Sequence, residues 1–184
     1  MTRVLVTGFE PFGKNDVNPS QLLAESLGGI VLPVSYARAA AGLRRAIDER
    51  NPDVVVAFGL ADDREAIWVE RFAHNLDEAS TTDNDDAAGS GTEIEPGAPL
   101  ALATRLPADE IVEALRAEEI PAGISRDAGG FLCNHVFYVL LRALRDRQVG
   151  GFVHVPPLAV LPFERLEHAG RVIVSACERH ISPS

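Results

Sequence analysis

Short apolar runs alternate with longer amphipathic segments along most of the chain, and this alternation constrains the fold more than any other feature. The short runs are rich in Val and Ile and end at Gly, Pro or Asp, which is typical of buried strands. The longer segments repeat apolar residues at helical spacing, as Leu43 and Ile47 do on one helix face. Strands and helices that alternate in this way predict an α/β fold, with a mainly parallel sheet and helices on both faces.

The same patterns give approximate bounds for each element. We expect strands at residues 3–7, 30–34, 54–58, 67–72, 122–125 and 151–155, and helices at 19–27, 37–50, 107–118, 132–145 and 163–180. The segment 77–96 has no periodicity and is rich in Asp, Gly, Ser and Thr, which predicts one long exposed loop. No internal repeat or linker interrupts the sequence, so we expect a single domain over residues 1–184.

Charge and composition disfavour several classes of partner. The net charge is −10 and the basic residues are dispersed, which argues against nucleic acid and anionic membranes as main partners. The N-terminal residues lack the apolar core of a secretory signal, and no apolar stretch reaches the roughly 20 residues that span a bilayer. Two cysteines in 184 residues do not form a disulfide scaffold. We therefore expect a cytoplasmic protein.

The segment 128–135, which reads AGGFLCNH, carries the strongest chemical signal. Its two glycines and the helix expected to follow place Cys133 in the first turn of that helix. There the free backbone amides and the helix dipole favour a thiolate, and the same amides can stabilise an oxyanion. We expect Asp127 or Ser125 to cap this helix.

A histidine stands at the carboxyl end of the strand that follows. This residue, His154, comes just before the Pro pair that ends the expected strand 151–155. Sites in open α/β sheets form at the carboxyl ends of strands, where the next helices begin. A strand end that supplies His154 and a helix start that supplies Cys133 together provide the nucleophile and base of a Cys–His pair.

Plainer interpretations stay open for these residues. A buried cysteine usually packs as a small hydrophobe, which we favour for Cys177, and the position of Cys133 alone fits a structural role equally well. His154 on an apolar strand is more often a packed core residue than a base. His135 lies about 200° around the helix from Cys133, so we expect it to pack or cap and not to serve the thiol.

Two cofactor classes fit the sequence poorly. A zinc site made of Cys133, His135 and His154 lacks the second Cys or the CxxC spacing that such sites have. The glycine-containing segment 8–13, GFEPFG, does not match the GxGxxG dinucleotide fingerprint and is interrupted by a proline. We therefore expect neither a metal nor another cofactor.

Four segments follow one another in a specific order. They are TGFEPFG at 7–13 with NPS at 18–20, VERFAHNLD at 69–77, FLCNHV at 131–136 and GFVHVP at 151–156. In order and rough spacing they resemble the pyroglutamyl peptidase I (pyrrolidone carboxylate peptidase) family, from about residue 3 to residue 162. The resemblance implies a three-layer α/β/α sandwich with a mainly parallel, mixed sheet. It also implies a cysteine omega-peptidase that hydrolyses the amide bond after an N-terminal pyroglutamyl (5-oxoprolyl) residue of peptides.

The resemblance implies a triad of Cys133, His154 and Glu70. In this triad His154 takes the thiol proton, while Glu70 fixes the ring tautomer and stabilises the imidazolium. Because relatives are often tetramers, the resemblance also implies a homo-oligomer.

The resemblance further implies that Phe9, Phe12 and Asn18 bind the substrate. The pyroglutamyl ring carries no ammonium, so its pocket needs apolar walls and a few hydrogen bonds instead of an anchoring carboxylate. Without the resemblance, Phe9 and Phe12 would be core residues. Asn18 followed by Pro19 is also typical of a helix cap.

Two positions depart from the family pattern. The family commonly has an oxyanion-stabilising Arg ten residues after the triad glutamate, where this chain has Ser80, and a Gln ten residues before it, where this chain has Leu60. Losing an oxyanion donor typically costs about 10²–10³ in rate. The amide of Cys133 remains, and Arg64 or Arg71 could substitute for the missing Arg.

Two further functions therefore stay open beside an active omega-peptidase. One is a catalytically weak homologue that binds blocked peptide ends or lactams, and the other is a cysteine amidase that acts on another small cyclic amide. Retention of Glu70, Cys133 and His154 together favours the peptidase, because a protein that only binds has no obvious need for all three.

Overall fold

The computed structural model describes residues 2–13 and 15–182. Its strands are β1 (Val4–Phe9), β2 (Ile30–Leu32), β3 (Val54–Leu60), β4 (Ile67–Glu70), β5 (Phe72–His74), β6 (Ala101–Ala103), β7 (Ala122–Ser125) and β8 (Val149–Val155). Its helices are α1 (Pro19–Ser26), α2 (Tyr36–Arg50), α3 (Ala108–Ala117), α4 (Leu132–Ala143) and α5 (Phe163–Ile181). All five expected helices are present, with bounds within two residues of the expected ones.

The central sheet has six strands in the order β2-β1-β3-β8-β4-β7. Its neighbours pair in parallel, except that β4 runs antiparallel to β8. The sheet is therefore mainly parallel but mixed, as expected.

Helices cover both faces of this sheet. In β3, Val54, Val56 and Phe58 pack with α1, α3 and α5, whereas Val55 and Ala57 pack with α2 and α4 on the other face. This period of two follows from the alternation of side chains along a strand that is buried on both sides. The expected three-layer α/β/α sandwich is confirmed.

The expected strand 67–72 is two strands. After Glu70 the chain leaves the central sheet, and β5 pairs antiparallel with β6 in a separate two-stranded sheet. The sequence patterns had not predicted β6, because a three-residue strand in an alanine-rich stretch has little periodicity of its own.

The segment 77–96 forms a loop with two isolated bridges, Asp77 to Thr92 and Thr82 to Ala88. It is anchored by Asp83, which is buried and accepts hydrogen bonds from the backbone N–H groups of Tyr36, Asp85 and Ala87. Burial would raise the pKa of Asp83, but these donors lower it below its ordinary value. The loop is therefore fixed to the start of α2.

Within residues 2–13 and 15–182, no helix combines the length and the apolar character needed to cross a membrane.

Candidate active site

The register of three central strands brings two of the expected site residues together. His154 of β8 lies opposite Gly59 of the parallel strand β3 and opposite Trp68 of the antiparallel strand β4. Glu70 is two residues beyond Trp68, so it projects from the same sheet face as Trp68 and its pairing partner His154. Nδ1 of His154 lies 2.7 Å from Oε1 of Glu70. Both side chains are buried, at 5% and 0% exposure.

This contact fixes the protonation of the histidine ring. The pKa of His154 is raised to about 9, so at neutral pH its Nδ1 carries a hydrogen and donates it to Oε1 of Glu70. The other ring nitrogen, Nε2, is then left for the thiol of Cys133.

The pKa of His154 reports the charges around it. Burial alone would lower this pKa, but the charge and hydrogen bond of the Cys133 thiolate raise it, and the Glu70 carboxylate raises it further, to about 9. The His154 ring is therefore protonated at neutral pH and lies beside the sulfur of Cys133.

The N-terminus of α4 presents the thiol. Cys133 is the second residue of this helix, and among the described residues no side chain makes a capping hydrogen bond at its N-cap, Phe131. The expected cap by Asp127 or Ser125 is wrong, because Asp127 accepts the N–H of Gly129 and its carbonyl accepts the Ser125 hydroxyl. The backbone N–H groups of the first turn therefore keep no side-chain partner and remain free for an anion.

A glycine makes room for the thiol. A Cβ atom at Gly59 would lie 2.9 Å from Sγ of Cys133 and 2.6 Å from Cζ of Phe152. Real Cβ atoms do not approach other atoms this closely, so only a glycine in β3 allows Cys133 to reach the sheet beside His154.

A pocket opens beside Cys133. It encloses about 490 Å³, including the space open to solvent at its mouth, and aromatic side chains form much of its wall. The rings of Phe12 and Phe131 lie 5.2 Å apart, and Phe9 is almost completely buried. Of the expected substrate-binding residues, Phe9, Phe12 and Asn18 all line this pocket.

The side chain of Asn18 is already engaged within the protein. Its Oδ1 accepts hydrogen bonds from the backbone N–H and the hydroxyl of Ser20, and its Nδ2 donates to the carbonyl of Glu10. Asn18 is therefore the N-cap of α1, followed by a proline at the first helical position, as expected. Asn18 lines the pocket, but its polar atoms are bonded to Ser20 and Glu10 and so stabilise the pocket wall.

The two departures from the family pattern lie in different places. Leu60 lines the pocket and gives it an apolar wall. Ser80 is exposed and does not line the pocket. Its neighbour Ala79 is nevertheless fixed, because the N–H of Ala79 donates to the carbonyl of Gly130, three residues before Cys133.

Arg64 and Arg71, the two possible substitutes for the oxyanion-stabilising arginine, are both engaged with other groups. Arg71 pairs with Asp109 at 3.2 Å. Arg64 lies 3.6 Å from Oε1 of Glu70, donates to the carbonyl of Asp127 and stacks its guanidinium over Trp68 at 5.3 Å. Arg64 therefore contacts the buried carboxylate instead.

His135 and Cys177 serve the fold. Nδ1 of His135 lies 2.8 Å from Oδ2 of Asp77, and its ring packs edge-on against Tyr36. Cys177 is fully buried in α5, and burial, with Glu110 and Glu178, raises its pKa to about 12. The thiol of Cys177 is therefore protonated and packed at neutral pH.

The family model for pyroglutamyl peptidase matches residues 2–175. The chain belongs to the pyroglutamyl peptidase family. The pyrrolidone-carboxylate peptidase of Enterobacter sp. (strain 638) is 41% identical over 182 residues, which cover 92% of this chain and 84% of that protein. The protein of the same name from Pyrococcus furiosus is 40% identical over 167 residues, covering 84% and 80%.

Solved structures of this family share the fold closely. The pyrrolidone carboxyl peptidase of Thermococcus litoralis superposes with a TM-score of 0.93 at 34% identity, over 98% of this chain and 95% of that chain. The pyroglutamyl peptidase I of Bacillus amyloliquefaciens superposes with a TM-score of 0.93 at 33% identity, over the full length of both chains.

Sequence reasoning missed several residues at this pyroglutamyl-peptidase-like site. A glycine near the end of a buried strand, as at Gly59, is a known signal for close approach, and it could have been found. The contact of Arg64 with Glu70 has no local signal, because it depends on the turn after β3. The same is true of buried Asn134, whose amide bonds the backbone of His74 and Leu76 and fixes the segment after β5 to α4.

Proposed function

We propose that the protein is a cysteine omega-peptidase that hydrolyses the amide bond after an N-terminal pyroglutamyl residue, with Cys133, His154 and Glu70 as its triad. One observation carries the proposal: the ring of His154 joins the thiol at the start of α4 to a fully buried carboxylate, beside an aromatic pocket. Family membership supplies the substrate class.

In the first half of the reaction the Cys133 thiolate attacks the carbonyl carbon of the pyroglutamyl residue. A carbon–sulfur bond forms, and the carbonyl oxygen takes the negative charge of a tetrahedral intermediate. His154 then gives its Nε2 proton to the leaving nitrogen, the amide bond breaks, and the shortened peptide departs with a free amine. A pyroglutamyl thioester remains on Cys133.

In the second half a water molecule replaces the leaving peptide. His154, now neutral, takes a proton from the water as it attacks the thioester carbonyl. The carbon–sulfur bond breaks, pyroglutamic acid leaves, and the thiolate–imidazolium pair is restored. Glu70 holds Nδ1 throughout, so the ring keeps the orientation and tautomer that both steps need.

The uncapped start of α4 is the proposed oxyanion site. Backbone N–H groups of the first turn, that of Cys133 above all, are fixed in place and need no reorganisation as charge develops. Phe9 and Phe12 would hold the apolar part of the lactam ring, and Asn18 would act through the shape of the wall that it stabilises.

We further propose that turnover is lower than in relatives that carry the Arg and Gln at the two departed positions. Ser80 provides at most a neutral hydroxyl and is exposed, and Leu60 provides no polar atom to the ring. A protein that only binds lactams, or an amidase for another cyclic amide, would have the same pocket but would fail to release the amine from a pyroglutamyl amide.

Three further expectations stay proposals. The proposed partners are N-terminally pyroglutamylated peptides, without nucleic acid or membrane, and a homo-oligomer is proposed from the family resemblance. A cytoplasmic location is supported by cysteine usage, since both cysteines are free thiols.

The deciding experiment is release of a fluorophore from its pyroglutamyl amide by the purified protein. We expect turnover by the wild type and none by Cys133→Ala at equal folded concentration. Tight binding of the amide without release would instead assign a binding function, and release that survives Cys133→Ala would remove the proposed nucleophile.

A further inference from the structure

The pocket beside Cys133 contains few polar side chains. Apart from the thiol, the polar side chains among the ten described residues that line it are Asn15, Asn18 and Asp62. Asn18 already accepts hydrogen bonds from Ser20 with its Oδ1 and donates to the carbonyl of Glu10 with its Nδ2. A lactam ring carries one N–H donor and one C=O acceptor, and a pocket that leaves either unpaired loses affinity. Asn15 and Asp62 are the lining side chains that still have hydrogen-bonding capacity.

These two lining side chains contact each other. Nδ2 of Asn15 lies 3.2 Å from one carboxylate oxygen of Asp62 and 3.4 Å from the other. Each stands in a turn with fixed backbone, since the N–H of Asn15 donates to the carbonyl of Phe12 and the N–H of Arg64 donates to that of Ala61. The second turn follows β3 directly, so Asp62 is held close to the strand that passes the thiol.

The pair has the two functions that a lactam needs. An amide nitrogen carries two hydrogens, so Asn15 keeps one N–H after bonding to Asp62. A carboxylate accepts several hydrogen bonds, so Asp62 keeps free lone pairs. Asn15 can therefore donate to the ring C=O while Asp62 accepts from the ring N–H. Leu60, where relatives carry a polar Gln, supplies only apolar contact.

We infer that Asn15 and Asp62 form the polar end of the pocket and recognise the C=O and N–H of the pyroglutamyl ring in this chain. The inference rests on the proposed function and adds the residues that determine its specificity. The plainer interpretation is that the Asn15–Asp62 bond only ties two exposed loops together. A tether would act on every substrate equally, whereas recognition acts on one ring atom at a time.

The test compares two substrates that differ at one ring atom. One is a pyroglutamyl amide of a fluorophore, and the other is its lactone analogue, in which a ring oxygen replaces the N–H. Sites that hydrogen-bond an N–H reject analogues without it, so for the wild type we expect kcat/KM to be about 10-fold higher for the lactam. Because Asp62 and Asn15 are exposed, we expect an alanine substitution at either position to lower kcat/KM about 10-fold.

Each variant should have its own substrate profile. Asp62→Ala should lower kcat/KM for the lactam and leave that for the lactone nearly unchanged, so that the preference for the lactam disappears. Asn15→Ala should lower kcat/KM for both, because both substrates keep the ring C=O. Asp63→Ala is the matched control, because it removes an exposed carboxylate of the same turn that does not line the pocket.

The outcomes separate this inference from the proposed function. A wild type that releases no fluorophore from the pyroglutamyl amide would defeat the proposed function itself. A wild type that turns over, with Asp62→Ala reducing both substrates equally or neither, would overturn recognition by Asp62 and leave the proposed function intact. Identical profiles for Asn15→Ala and Asp62→Ala would identify the pair as a tether.

Discussion

Gly59 lies against the thiol of Cys133, so that a Cβ atom at this position would be 2.9 Å from Sγ. The same Cβ would be 2.6 Å from Cζ of Phe152, which packs against the ring of His154 with centroids 5.0 Å apart. A single methyl group at Gly59 would therefore push on both partners of the proposed nucleophile–base pair. Strand β3 therefore requires glycine at position 59 for the site to keep its geometry.

We expect Gly59→Ala to lower kcat/KM by about 10²-fold or more, because displacements near 1 Å have such effects on chemistry. Overpacking should also reduce the free energy of unfolding by about 1–3 kcal/mol. Fluorophore release and thermal unfolding measure the two effects. Gly42→Ala in α2 is the control, since among the described residues the added Cβ would meet Leu32 alone, at an ordinary 3.7 Å. Full activity in Gly59→Ala would show that the position of the Cys133 thiol does not depend on its contact with Gly59 of β3.

The two cysteines should differ sharply in reactivity. Iodoacetamide at neutral pH should label Cys133 first, because its side chain is partly exposed and contacts the protonated His154 ring, whereas burial raises the pKa of Cys177 to about 12. Peptide mass mapping after partial labelling measures the ratio. Cys177→Ala should keep both labelling and turnover, and comparable labelling of the two thiols would argue against an activated Cys133.

The acidic partner of the histidine should control the pH profile. His154 keeps its proton below about pH 9 and loses it above, so kcat/KM should fall on the alkaline side near that value. In Glu70→Gln a neutral amide replaces a carboxylate that raises the pKa of His154, so the alkaline limb should move to lower pH. We also expect kcat to fall by about 10²–10⁴.

If the pH profile of Glu70→Gln kept the wild-type alkaline limb, Glu70 would not be the group that raises the pKa of His154. Glu65→Gln serves as the control, since Glu65 is exposed and close in sequence.

Sequence patterns predicted the layers of the fold, and the places of Cys133 at a helix start and His154 at a strand end, for a physical reason. Buried strands and amphipathic helices carry their periodicity locally, and α2 and α4 lie where that periodicity indicated. The carboxyl end of β8 and the start of α4 are fixed by topology, so the meeting of His154 with Cys133 followed from fold class. Side-chain detail did not follow: Asn18 was known as a cap, but its full occupation by Ser20 and Glu10 depends on tertiary packing.

The hydrogen bonds of short polar loops also escaped prediction. Asp127 could cap α4 by sequence, yet it closes its own turn with Gly129. Competing turns of this kind are close in energy, and the chain's three-dimensional context decides between them.

Arg64 should position the buried carboxylate. Its guanidinium lies 3.6 Å from Glu70 and also reaches the carbonyl of Asp127 before α4, so it joins Glu70 to the segment that leads to Cys133. Arg64→Met should lower kcat by about 10-fold with little change in KM, since Arg64 does not line the pocket. Removing this positive charge makes the Glu70–His154 pair hold its proton more strongly, so the alkaline limb should move to higher pH, opposite to Glu70→Gln.

The conservative variant Arg64→Lys keeps the charge and should retain the wild-type alkaline limb. A purely structural role would instead lower the thermal stability of both variants and leave the limb in place.

Ser80 should matter little as it stands. It is exposed and carries only a neutral hydroxyl, so we expect Ser80→Ala to keep the wild-type kcat, with the backbone amides of α4 stabilising the oxyanion. A large loss of kcat in Ser80→Ala would identify the hydroxyl as a real donor.

An arginine at the same position should raise turnover. Ala79 donates its N–H to the carbonyl of Gly130, and the carbonyl of Ala79 accepts the N–H of Gly89, so a longer side chain at Ser80 would start from a point that is fixed to the segment before α4. Ser80→Arg should increase kcat by about 10–10², with a smaller change in KM, because the added charge acts where negative charge develops in the transition state. Thr81→Arg adds the same charge one residue further along the loop and should not accelerate the reaction. Equal acceleration by both variants would assign the gain to general electrostatic attraction instead of oxyanion stabilisation.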